Sequence, residues 1–218
     1  MDPVRLPTTK AQAVALIGDV IPDPDAFGSG AVRRTPYESD PRRWAVLGDD
    51  CVWQQQALPT DVLATSTRSY AIPASGTKGQ LLLSAVVTVH RTPEQADWEN
   101  AEVLEEMMRC PSQRLRSDEA VTSLTDVPAS YGDSDNDFAD DTLTETSEYT
   151  NAEAGGPFPY LWEQTRIGQI TLAVSAKGAK GWSKADLFLD PSAKSLYCLF
   201  QADGNNTFRF LGRSDQVK

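Results

Sequence analysis

The stretch that decides the fold is "QLLLSAVVTVHRTPEQADWENAEVLEEMMRC", residues Gln80 to Cys110. Its first part alternates in hydrophobicity, as a β-strand does. The apolar face of that strand consists of Leu81, Leu83, Ala85, Val87 and Val89. The segment Thr92–Gln95 then supplies a capping box with a proline at the first helical position, which predicts a helix ending near Cys110. We expect that helix to bury a stripe made of Trp98, Ala101, Leu104 and Met108.

Outward from this stretch, period-two patterns predict further strands. They are Cys51–Pro59, Val62–Pro73, a short strand near Val121, Phe138–Tyr149, Phe158–Ile167 and Gly168–Gly178. Because short turns join the last three, we expect an antiparallel meander. A first helix is predicted within Thr8–Pro22, and the segment from there to about Asp50 as mostly loop. Without βαβ alternation, the order predicts an α+β fold: a mainly antiparallel sheet with two helices packed on one face.

The chain divides into three parts on this interpretation. Residues 1–50 form a helix and loop arm of the same domain, residues 51–186 an α+β domain, and residues 187–218 a divergent tail. The tail contains two short apolar runs around "ADGNN", which is typical of a hairpin turn. It is either an added C-terminal hairpin or the product of a local reading-frame change, and both alternatives leave the role of Cys198 open.

Negative charge is concentrated in one region. Between Arg116 and Arg166 there is no Lys or Arg but there are twelve acidic residues, and removing these from the net charge of −11 leaves +1. Since phosphate binding needs clustered Lys and Arg, this distribution argues against a nucleic-acid partner. A solvated acidic face is the simpler interpretation. The N-terminus "MDPVRLPTTK" lacks the apolar core of a secretory signal, which would make the protein cytoplasmic if that terminus is native.

Three cysteines bear on the compartment: Cys51, Cys110 and Cys198. None belongs to a CxxC pair, and a single histidine, His90, cannot complete a Cys/His zinc cluster, so we expect no structural metal. In an oxidising compartment, Cys51 and Cys110 would be the natural pair, since one starts a predicted strand and the other ends a predicted helix.

The stretch "YGDSDNDFADD", Tyr131 to Asp141, suggests two activities and supports neither. A calcium loop starting at Asp133 would need glycine at its sixth position and glutamate at its twelfth, where Phe138 and Thr144 stand. A hydrolase nucleophile at Ser134 would need a histidine base, and His90 lies upstream on a predicted strand. We therefore expect an acidic loop, no catalytic residues, no metal and no cofactor.

Several segments together resemble the PknH-like extracellular sensor domains of actinobacterial serine/threonine kinases and their secreted or lipoprotein relatives. They are "CVWQQQALP", "MMRCPSQ", "YGDSDNDFADD" and "LWEQTRIGQITLAVSAKG", and the likeness covers about Leu6 to Asp186. The resemblance implies a domain outside the membrane, a ligand cleft and a disulfide between Cys51 and Cys110. The family's second cysteine pair is missing here, and the likeness ends after Asp186.

These observations favour a non-enzymatic extracytoplasmic sensor or ligand-binding domain, extracellular or membrane-anchored through a segment outside this chain. Its partner would be an unknown small molecule or cell-envelope component. Tyr160 and Trp162 share one face of their predicted strand and could line the cleft, although core packing is the simpler interpretation of both. Two alternatives remain: a cell-wall-directed hydrolase using carboxylates such as Asp133, Asp135 and Asp137, and a surface interaction or assembly protein.

Overall fold

A large antiparallel sheet forms the centre of the computed structural model, which describes residues 6–28, 30–127, 139–189, 201–202 and 208–209. Ten strands precede the tail: β1 Val32–Glu38, β2 Arg43–Leu47, β3 Trp53–Ala57, β4 Val62–Ile72, β5 Leu81–His90, β6 Gln113–Arg116, β7 Glu119–Asp126, β8 Asp141–Asn151, β9 Gly155–Ile167 and β10 Ile170–Lys177. Eight of them form one sheet in the order β1-β4-β5-β10-β9-β8-β7-β6, while β2 and β3 pair separately as a hairpin. The predicted meander is present as β8, β9 and β10.

Helices cover both faces of the sheet. They are α1 Lys10–Val20, a 3₁₀ helix Pro24–Phe27, α2 Pro93–Arg109 and α3 Lys184–Leu189. The α+β class and the mainly antiparallel sheet are confirmed. The two predicted helices, α1 and α2, do not share a face: α1 lies on one face together with α3, whose Leu187 joins the same core cluster. The second predicted helix, α2, lies on the opposite face, where Glu99 contacts the side chain of Thr171 on β10.

The main core lies between α1 and the face of β5 predicted to be apolar. Leu81, Leu83, Ala85, Val87 and Val89 are all buried there. From α1, Ala13, Ile17 and Val20 pack against them. The helix begins at the predicted site, because the Thr9 side chain and Gln12 form a capping box. This core fixes one face of the sheet and leaves the other face for α2.

The predicted apolar stripe of α2 is wrong. Trp98 is 71% exposed and Met108 is 73% exposed, whereas the buried positions of the helix are Ala96 and Asn100. The reason is that α2 covers a face of the sheet that carries polar side chains, so the helix presents polar side chains to it. Because polar side chains make this contact, the spacing of apolar residues along α2 does not show which side of the helix faces the sheet.

The segment up to Asp50 also differs from its prediction as loop, because it contains β1 and β2. β1 pairs with β4 at one edge of the sheet, and its exposed positions carry charged residues such as Arg33 and Glu38, which are typical of edge strands. In the tail, Gln201–Ala202 pairs antiparallel with Phe208–Arg209; the rest of the predicted hairpin lies outside the described residues. Among those residues no helix is both long and apolar enough to cross a membrane.

Candidate functional site

The N-terminal half of α2 is attached to the sheet by side-chain hydrogen bonds. Glu99 Oε2 lies 2.6 Å from His90 Nε2 and accepts a hydrogen bond from the Thr171 hydroxyl at 2.6 Å. Asn100 Oδ1 accepts from Gln164 Nε2 at 2.5 Å, and Asn100 Nδ2 donates to an Asp141 carboxylate oxygen at 3.1 Å. These hydrogen bonds pair most of the polar groups at the contact, and His90 Nδ1 is the buried atom among them without a partner in the described part of the chain.

The β2–β3 hairpin packs beside the C-terminal half of α2 and is fastened to its end. Cys51, in the turn of the hairpin, forms a disulfide with Cys110, the C-cap of α2, and their Cα atoms lie 5.5 Å apart. Arg109 Nη1 donates to the Gly48 carbonyl at 3.2 Å. The Trp53 indole N–H donates to Gln113 Oε1 at 2.8 Å. These contacts hold the hairpin over the sheet, with which it shares an isolated bridge between Val52 and Arg114 of β6.

Between α2, the hairpin and the sheet lies an outer cavity of ≈ 240 Å³. Its walls contain three tryptophans, two from the hairpin and one from β9, and three glutamates at successive turns of α2. These residues are Trp44, Trp53, Trp162, Glu99, Glu102 and Glu106. The floor is formed by short side chains of the sheet, among them Thr65, Thr88 and Ala173. Apolar walls with a few polar groups are the usual composition of a small-molecule site.

A smaller inner cavity of ≈ 100 Å³ adjoins the outer one. Trp53, Val103, Glu106 and Trp162 line both cavities, so the two spaces share a wall. We call the outer and inner cavities together the cleft. Glu145 of β8 faces the inner cavity; the residue is 7% exposed, and its Oε1 has no hydrogen-bond partner among the described residues. A buried carboxylate oxygen without a hydrogen-bond partner costs folding free energy. A ligand group that donates a hydrogen bond or brings a positive charge to this wall would offset that cost.

Two carboxyls of the cleft hold their protons unusually strongly. Burial raises the pKa of Glu106 to about 7, against a hydrogen bond from the Leu47 backbone that lowers it. Burial also raises the pKa of Glu145 to about 7, and the negative charges of Glu106 and Asp126 add to the effect. Both carboxyls therefore change their charge near neutral pH, and both do so at the inner cavity.

The two residues predicted from the sequence to share a cleft-lining face lie at this site. Trp162 lines both cavities, and Tyr160 lines the inner one while packing in a small core cluster with Val121 and Tyr149. Alternation along β9 was sufficient to place them on one face. Trp44, Trp53, Glu106 and Glu145 were missed, because they come from three other segments. The spacing of Glu99, Glu102 and Glu106 was the available signal for an acidic wall on α2.

His90 is not among the residues that line the cleft. It is a buried packing residue whose imidazole ring lies edge-on to Trp44, with ring centroids 6.5 Å apart. Asp133, Ser134, Asp135 and Asp137 lie outside the described residues. Within the described part of the chain, no group of three or more His, Cys, Asp or Glu side chains could hold a metal ion.

No protein-family model matches the sequence, and no curated protein matches it. Several solved structures are similar to the chain, including the following three. The extracellular domain of PknH from Mycobacterium tuberculosis has a TM-score of 0.48 and 12% identity, over 88% of this chain and 98% of that one. The Rv0999 ortholog from Mycobacterium smegmatis has a TM-score of 0.36 and 12% identity, over 88% and 94%. PA94 from Pseudomonas aeruginosa has a TM-score of 0.36 and 11% identity, over 74% and 99%. These are resemblances of structure alone.

Proposed function

We propose that this chain is a non-enzymatic ligand-binding domain that works outside the cytosol as a sensor. The observation that carries the proposal is the cleft between α2 and the sheet, with an outer cavity of ≈ 240 Å³ lined by three tryptophans. Tryptophans provide a large contact area for an organic ligand. The side chains of Thr65, Thr88 and Gln164 supply the polar groups that would orient it.

The disulfide supports the choice of compartment. Disulfides persist in oxidising environments and are rare in the cytosol. Here the bond joins the hairpin to the end of α2, so the cleft is bordered by an element that oxidation holds in place. Intact-mass analysis of protein taken from its source cell, with and without reductant, tests this point. Free thiols at both Cys51 and Cys110 would contradict an extracytoplasmic role.

Ligand binding is testable with a variant that fills the cleft. Ala173 lies on the floor of the outer cavity, so Ala173→Leu should occupy that space with little strain. We expect compounds that shift the thermal unfolding or quench the tryptophan fluorescence of the wild-type protein to lose their effect on this variant. Ala101→Leu, at an exposed position of α2, is the matched control and should respond like wild type. Equal responses of both variants would place binding elsewhere and refute the proposal.

One observation favours a second candidate, a hydrolase using carboxylates. Glu106 and Glu145 face the same inner cavity with pKa values of about 7, and carboxyls of this kind act as general acids near neutral pH. In that case the protein should turn over a cell-wall polysaccharide or peptide, and Glu106→Gln and Glu145→Gln should each abolish turnover. No turnover in a broad substrate screen would leave the binding domain as the better assignment.

A further inference from the structure

The inner cavity has a composition that suits one class of ligand. Its walls combine two carboxyls, Glu106 and Glu145, with the aromatic rings of Trp53, Tyr160 and Trp162. Indole and phenol rings attract cations through their faces, and carboxylates attract them by charge. Sites built from both kinds of group are typical for substituted ammonium ions.

The unpaired oxygen of Glu145 points to a missing partner. This Oε1 is buried and has no hydrogen-bond partner among the described residues. On the strand pairing of β8 with β9, Glu145 stands directly opposite Trp162, so the carboxyl and an indole ring belong to the same wall. A ligand that brings a positive charge to this wall would compensate the carboxyl, whereas a neutral apolar ligand would leave it unpaired.

The charged residues around the inner cavity also favour a cationic ligand. Glu102 and Glu105 on α2 and Asp126 on β7 add negative charge near Glu106 and Glu145, and Arg109 offsets part of it at the end of α2. Among the described residues, the lining of the outer cavity combines three glutamates of α2 with one cationic residue, Arg43 of β2, whereas the lining of the inner cavity has Glu106 and Glu145 and no cationic residue. Both linings therefore carry an excess of carboxyls, and the inner one contains no cationic residue from the described part of the chain that would offset them, which favours a cationic over an anionic ligand.

The two cavities differ in size in a way that fits a ligand with a compact charged head. The inner cavity, at ≈ 100 Å³, offers the room of roughly three water molecules, enough for a small alkylammonium group. The outer cavity, at ≈ 240 Å³, could hold a longer and less charged remainder. Trp53 and Trp162 line both spaces and would contact the ligand where these two parts meet.

We propose that the cleft binds an organic cation whose ammonium group occupies the inner cavity between Glu106, Glu145 and the rings of Trp53 and Trp162. The proposal rests on the proposed function, since it names the class of ligand for the same cleft. It excludes sugars and carboxylic acids as the preferred ligands of the inner cavity.

A pair of matched probes tests the charge requirement. Choline and 3,3-dimethyl-1-butanol have the same shape, but only choline is charged. Using the full chain and isothermal titration calorimetry, we expect choline to bind at least about tenfold more tightly than the neutral alcohol. Butylammonium and benzyltrimethylammonium extend the test to other sizes. Equal affinity for choline and the alcohol, or no heat from any of the three cations, would overturn the proposal.

Variants locate the binding. Glu145→Gln keeps the shape of the side chain and should weaken choline binding about tenfold while changing binding of the alcohol by less than roughly twofold. Glu106→Gln, on the opposite wall, should act in the same direction and serves if the first variant unfolds. Glu148→Gln, exposed on the same strand as Glu145, is the matched control and should bind as wild type does. Unchanged choline binding in both cleft variants would contradict the proposed site.

The same experiments separate this inference from the proposed function. Sugars or carboxylic acids that bind the wild type, lose binding in Ala173→Leu and outcompete the ammonium probes would overturn the cationic ligand and leave the binding cleft intact. No binding of cations, sugars or acids to the wild type would contradict both.

Discussion

Glu163 makes stability depend on pH in a way that one substitution should remove. It lies on β9, opposite Thr144 of β8 and Val174 of β10, on the face of the sheet that α1 covers. The residue is 6% exposed, and its Oε2 has no hydrogen-bond partner among the described residues. Burial raises the pKa of this carboxyl from 4.5 to about 8. The folded protein therefore holds a proton at Glu163 that the unfolded chain releases at lower pH.

The sign and size follow from proton linkage. Well below pH 4.5, Glu163 is protonated in both the folded and the unfolded protein, and its titration does not change the free energy of unfolding. Between pH 4.5 and about 8, the folded protein binds one proton more than the unfolded chain. Stability then falls by about 1.4 kcal/mol per pH unit as the pH rises. From about pH 5 to about pH 8 this amounts to roughly 3.5 kcal/mol, because the loss levels off near the folded pKa. In a chain of this size, that is roughly 7–14 °C in Tm.

Glu163→Gln removes the titration. Its amide brings an extra buried donor, which costs about 1–3 kcal/mol at every pH. We therefore expect the variant to be no more stable than wild type near pH 5 and more stable near pH 8. The measurement is urea denaturation across that range, with the exposed Glu148→Gln as the matched control. If the free energies of unfolding of wild type and Glu163→Gln run parallel with pH, Glu163 ionises freely in the fold and the reasoning fails.

Three further predictions concern stability, measured by urea denaturation. Replacing Cys51 and Cys110 by alanine should cost about 4 kcal/mol, because the disulfide spans a sequence separation of 59 residues; a loss under about 1 kcal/mol would mean that the unfolded chain gains little freedom. Lys177→Met should cost about 3 kcal/mol by leaving the buried Glu119 carboxylate without its ammonium partner. Adding Glu119→Gln should restore part of that loss, and no restoration would speak against the pair. Trp98→Ala should change the free energy of unfolding by less than about 0.5 kcal/mol, since the ring is exposed. A loss of about 3 kcal/mol would mean that Trp98 is buried, as the apolar stripe predicted from the sequence requires.

The elements that follow from the sequence are those whose signal is local. The alternation of β5 identified its buried face because each apolar side chain there packs against α1. The capping boxes at Thr9 and Thr92 marked the starts of α1 and α2 because a cap needs only four neighbouring residues. In the same way, alternation along β9 put Tyr160 and Trp162 on one face.

What the sequence could not predict depends on contacts between distant segments. The orientation of α2 follows from hydrogen bonds of Glu99 and Asn100 to side chains on β5, β8, β9 and β10, and a search for an apolar stripe misses such a contact. The site is hidden for the same reason. Trp53 reaches the cleft because the β2–β3 hairpin, a separate two-stranded sheet, folds over the large sheet. Glu145 reaches it because β8 pairs with β9 in one particular register.

The position of the cleft along α2 has a physical cause. Near its middle, the helix is held to the sheet by Glu99 and Asn100, and at its end the disulfide at Cys110 holds it to the hairpin. Between these two attachments, Val103 and Glu106 face cavities instead of packed side chains. Attachments on both sides of this stretch oppose an inward shift of the helix that would close the space. A ligand would therefore enter a site that is already formed, which lowers the free-energy cost of binding.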